Sequence, residues 1–134
     1  MKKIILNAVI LFFLFSCKKE KAAVPTQQMV SVSDISEWSL HAPLTSKLEA
    51  TITVADLENL QQAIGEVKVI LTLPNDIKLV MPKSIPGSID PDLVTTYYHA
   101  WGKNKLVIYR QLNKVVLITS EKPKSIELEF FVLK

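Results

Sequence analysis

The sequence predicts an all-β domain, an antiparallel β-sandwich or partly open barrel of about seven strands with one short connecting helix. Three observations predict it. From Ile35 onward apolar and polar residues alternate with period two, turn residues separate the alternating runs, and one stretch alone, about two turns long, shows helical spacing. A helix that short cannot cover a sheet face, which disfavours a β-grasp or split α+β arrangement.

The elements follow in chain order. Leu48, Ala50, Ile52 and Val54 alternate with Glu49, Thr51 and Thr53, placing apolar groups on one face and polar groups on the other. Ala55 to Gly65 carries Leu57, Leu60 and Ile64 at helical spacing, with Asp56 as a candidate cap and Gly65 as the stop. This helix needs tertiary packing and is expected to plug one end of the sheets. Val67, Val69, Leu71 and Leu73 resume alternation; Pro74, Asn75 and Asp76 supply a turn, and Ile77, Leu79 and Met81 complete a hairpin. Val94 to Trp101 and Lys105 to Gln111 form a second hairpin around Gly102-Lys103-Asn104, rich in residues that suit a half-buried pleated surface. After the apolar run Val115 to Thr119 and a loop at Pro123, Ile126, Leu128, Phe130 and Val132 define the last strand. Phe131 and Leu133 interrupt its polar side, so that strand end is expected to be covered on both faces.

The chain has 134 residues, of which 49% are hydrophobic and 22% charged, enough for one packed core and too few for a second domain of ordinary size. Its N-terminus is set apart. Met1, Lys2 and Lys3 form a basic start, and Ile4 to Phe15 is an apolar run broken only by Asn7. That layout predicts a secretory signal peptide over residues 1–16. Twelve residues at about 1.5 Å of rise reach about 18 Å, well short of the roughly 30 Å hydrocarbon core. Residues 17–30 lack periodicity and are expected to form a flexible tether, with the folded domain over 31–134.

Leu14-Phe15-Ser16-Cys17 resembles the lipobox of bacterial lipoproteins. The resemblance implies cleavage between Ser16 and Cys17, diacylglycerol on the Cys17 thiol and acylation of the new amino group, so that the partner is membrane lipid. Two or three acyl chains, at about 0.8 kcal/mol per buried methylene, hold a protein on a bilayer stably. Cys17 is the single cysteine. Once it is lipidated, thiolate catalysis, thiolate metal sites and disulfides are all excluded together.

The order of elements is similar to that of small lipoproteins of Bacteroidota-type bacteria with no established activity. Trp38 in the first strand, Thr51 to Val54, Leu57 to Gly65, Val67 to Leu79, Tyr97 to Tyr109 and Ile126 to Leu133 carry this resemblance, which covers most of the mature chain and contains no catalytic signature. It implies a β-rich fold at the outer membrane. Lys18, instead of Asp, follows the cysteine and only Glu20 is acidic nearby, which favours the periplasmic face over the cell surface.

The nominal pI near 9.0 is misleading as evidence of a partner. From Ser31 onward there are 11 basic and 12 acidic side chains, a net −1, so no nucleic-acid partner is expected. His41 and His99 lie in no metal-binding spacing, no G-x-S-x-G elbow is present, and three glycines leave no phosphate-cradling loop. Asp90 and Asp92 flank Pro91 and read as turn residues, too few for a Ca²⁺ site. No cofactor and no enzymatic activity are expected. The candidate ligand-binding residues are Tyr97, His99 and Trp101 on one face of a strand, joined by Tyr109 across the hairpin. Such a face stacks on a glycan, docks an envelope protein or forms the second wall of the core, and core packing carries more weight. The expected function is a non-enzymatic binding module; the alternatives are a structural accessory subunit of an outer-membrane assembly and, behind it, a small hydrolase.

Overall fold

The computed structural model describes residues 23–133. The expected signal peptide and Cys17 lie outside them. Among the described residues are nine strands and one helix: β1 (Pro25–Val32), β2 (Ser39–Ala42), β3 (Thr45–Thr51), α1 (Val54–Gln61), β4 (Ala63–Thr72), β5 (Lys78–Val80), β6 (Lys83–Pro86), β7 (Val94–Trp101), β8 (Lys105–Leu112) and β9 (Ser125–Leu133). They form two antiparallel sheets in the orders β1-β9-β4-β5 and β2-β3-β8-β7-β6, an all-β sandwich with open edges.

Alternation puts the core between the sheets. Ile126, Leu128, Phe130 and Val132 of β9 and Val69 and Leu71 of β4 face Leu48 and Ala50 of β3 and Leu106 and Ile108 of β8, all buried. Burial of each large side chain contributes about 1.5–3 kcal/mol, the main term holding the sheets together in a domain without a disulfide.

Several expectations need correction. The first strand begins at Pro25 and pairs with β9 over its whole length, so residues 25–30 belong to the domain and not to the tether; Val30 and Val32 face the core, which favours their pairing. Trp38 accordingly stands outside the first strand, in the segment that crosses from β1 to the second sheet. Phe131 and Leu133 are exposed on the outer face, because strict alternation turns them away from the core. Val115 and Leu117 are exposed in the connection from β8 to β9, and the apolar run Val115 to Thr119 forms no strand.

The helix is capped one turn earlier than Asp56 suggests. Thr53 Oγ1 accepts the Asp56 N–H at 3.2 Å and its hydroxyl donates to Asp56 Oδ2 at 2.7 Å, and Gln62 closes the other end. Gly65, expected as the stop, has φ +72° inside β4, at the irregularity where the register with β9 shifts between Ile64 and Lys68.

Candidate functional site

Arg110 is the only arginine in the chain, and it stands on the apolar face of β8 in the series Leu106, Ile108, Arg110, Leu112. It is 5% exposed. Antiparallel pairing sets it directly opposite Tyr97 of β7, whose side chain is also buried. The crossing after β1 brings in the third member. Ile35 bridges to Ala50 and the Ser36 N–H donates to Glu49 O at 2.8 Å, which carries Trp38 over the guanidinium, 4.1 Å from its carbon to the ring centroid.

Residues 113–124 close the site from the far end of the sandwich. The Thr119 carbonyl accepts from Arg110 Nη1 at 3.0 Å, the Glu121 carbonyl accepts from Trp38 Nε1 at 3.0 Å, and Lys122 Nζ donates to the Ile35 carbonyl at 3.0 Å. Between this connection and the β4–β5 turn lies a cavity of about 250 Å³ lined by Trp38, Leu73, Pro74, Tyr97, Arg110 and Glu121, among others.

The electrostatics are unusual for a core position. Arg110 Nε is buried with no acceptor, and among the described residues no carboxylate lies within salt-bridge distance of the guanidinium. Burial lowers its pKa, with the Tyr97 phenol opposing, although arginine stays charged in proteins. Burial likewise raises the Tyr97 phenol, against the attraction of Arg110, so it remains a neutral hydroxyl. A desolvated cation without a counter-charge costs free energy, offset here by one carbonyl, an indole face and the neighbouring Tyr97 hydroxyl. The arrangement is equipped to hold an anion.

The four residues predicted from the sequence do not form one patch. Tyr97 lies in the core and lines the Arg110 cavity. His99 and Trp101 follow it on the same face toward the helix end, their rings edge to face at 5.8 Å, and Trp101 borders a concavity of about 240 Å³ with Leu57, Leu60 and Val67. Burial lowers the pKa of His99, opposed by Glu66. Tyr109 is on the opposite face. Register pairs it with Tyr98, on which it stacks at 4.9 Å, and His41 meets its edge at 5.3 Å. Asp90 is a turn residue: its Oδ1 accepts the Asp92 N–H at 3.1 Å and Lys114 pairs with its other oxygen at 2.6 Å.

Trp38 and Arg110 were missed as a site by sequence reasoning. The available signal was a lone arginine at an apolar position of an alternating strand; the indole above it, 72 residues earlier in the chain, left no trace in spacing. A wider concavity of about 440 Å³ between the β2–β3 turn and the β8–β9 connection is lined by Leu40, Pro43, Leu44, Val115 and Ile118 and presents no charged group. No protein-family model, no curated protein and no solved structure matches the chain.

Proposed function

We propose that the chain is a non-enzymatic binding module of the cell envelope, anchored to the outer membrane through acylated Cys17 and facing the periplasm, with the Arg110 cavity as its ligand site. The cavity carries this reading. It joins a buried cation to aromatic and apolar walls, the composition of a binding pocket.

The position of the cavity supports the anchored arrangement. Pro25, where the chain enters β1, pairs with Leu133, and the exposed Phe131 and Ile64 are its neighbours on the same outer face. This apolar end suits contact with a membrane surface. The Arg110 cavity opens at the other end of the strands, beside the β4–β5 turn and the start of β9.

Cells expressing the chain and fed an alkyne analogue of palmitate are expected to incorporate label into it in the membrane fraction. Cys17→Ser should abolish labelling and move the protein to the soluble fraction; label retained by that variant contradicts the anchor. The second reading, an accessory subunit of an envelope assembly, is favoured by the outer edge of β1, which is a sheet edge eight residues long with β9 as its only strand partner among the described residues. A photo-crosslinker at Met29 that captures one stoichiometric envelope protein favours this reading over a small-molecule site.

A further inference from the structure

We infer that the Arg110 cavity binds a small monocarboxylate with an apolar body, its carboxylate on the guanidinium and the Tyr97 hydroxyl and its body against Leu73, Pro74 and Trp38. This rests on the binding-module reading above and adds the chemical class of the ligand.

Three observations select the class. The first is the hydrogen-bonding state of Arg110: the residue is more than nine-tenths buried and lines the cavity, yet its neighbours are all neutral, the Thr119 carbonyl on Nη1 and the Tyr97 hydroxyl, and Nε has no acceptor. A guanidinium presents a planar fork that matches the two oxygens of a carboxylate. The second is charge. Arg110 is the only cationic residue in the lining and Glu121 on the exposed rim offsets it, so the site has no surplus positive charge for a phosphate dianion and suits a monoanion held on the buried guanidinium itself. The third is shape. Leu73, Pro74 and Pro123 give apolar walls, and about 250 Å³ falls just below the roughly 300–1,000 Å³ of pockets for drug-sized ligands, which points to a molecule of benzoate size.

A purely structural role for Arg110 explains less. Packing a hydrophobic residue in place of a buried charge without a counter-ion is often neutral or stabilising, so stability alone gives little reason for arginine here. Function at the expense of stability is the pattern expected of a binding site.

The test uses the full chain in detergent micelles carrying Trp101→Phe, which leaves Trp38 as the only tryptophan, the chain having two. Benzoate is titrated against benzamide, which has the same shape without the charge, and Trp38 fluorescence is read. Benzoate is expected to give a saturable change and to bind about 10- to 100-fold more tightly than benzamide, the range for a charge-assisted hydrogen bond. Arg110→Met should lose benzoate binding by the same factor while melting at the same or a higher temperature. If the Met variant does not fold, Arg110→Lys replaces it, and its benzoate affinity should fall about tenfold, because the ammonium lacks the fork. Equal affinities for benzoate and benzamide overturn the carboxylate assignment and leave the cavity as a ligand site. Unchanged benzoate affinity in a folded Arg110 variant also overturns it. If neither probe perturbs Trp38, nor does any member of a panel of neutral and anionic small molecules, the ligand-site reading fails as well.

Discussion

Arg110 and His99 occupy inward positions on neighbouring strands, and each is a polar group with an unfilled hydrogen bond: Nε of the one and Nδ1 of the other are buried without partners. They differ in what pH does to them. The guanidinium keeps its charge throughout the physiological range, whereas burial holds the His99 pKa below the usual value of about 6.5. In the interval between those two values the unfolded chain binds a proton that the folded chain refuses, so stability declines as pH falls through about 6.5 and levels off once His99 titrates in the folded state. Melting temperatures between about pH 8 and about pH 5 are expected to show this decline, and His99→Gln to flatten part of it. The same slope in both proteins would mean that His99 does not contribute.

At the scale of elements, short pieces depend on their ends. α1 has eight residues and none of them is fully buried; Leu57 and Leu60 touch the core only in part. A helix of that length is marginal by itself, so the reciprocal bonds between Thr53 and Asp56 matter disproportionately. Thr53→Ala is expected to cost about 1 kcal/mol in urea unfolding and to raise amide exchange across Val54–Gln61 before the rest of the molecule responds. No change in either measurement would show that packing alone holds the helix. The β7–β8 hairpin makes a different point. Its two strands and turn were readable from composition, but the register that opposes Tyr98 to Tyr109 and Tyr97 to Arg110 decided which aromatics share a face.

The whole molecule is held by β9. This last strand lies between β1 and β4, so the first sheet cannot close until β9 is in place, and the pairing of β1 with β9 joins the two ends of the domain. Long-range pairing of this kind predicts slow, cooperative folding. Leu128 is fully buried at the centre of that strand, against the facing sheet. Leu128→Ala is expected to cost about 2–5 kcal/mol, a large share of the roughly 5–15 kcal/mol of a typical domain. Urea unfolding followed by tryptophan fluorescence and by far-UV circular dichroism should give one coincident transition, shifted to lower urea. Separate transitions would show that the sheets unfold independently.

Local patterning was sufficient for the class of fold. Period two in Leu48 to Ile52, Val67 to Leu73 and Ile126 to Val132 matches the buried faces of β3, β4 and β9, because the side-chain repeat of a strand is a property of the backbone and needs no knowledge of its neighbours. The same logic failed at Pro25 to Val30, a polar-looking edge whose strand character comes from pairing with β9, and at Phe131 and Leu133, whose exposure depends on what lies above the sheet. The cavity was decided by tertiary structure alone. Trp38, Leu73, Tyr97, Arg110 and Glu121 lie on separate segments, and crossings between two sheets bring them together; no spacing along a chain encodes a contact that sheet register and crossing geometry create.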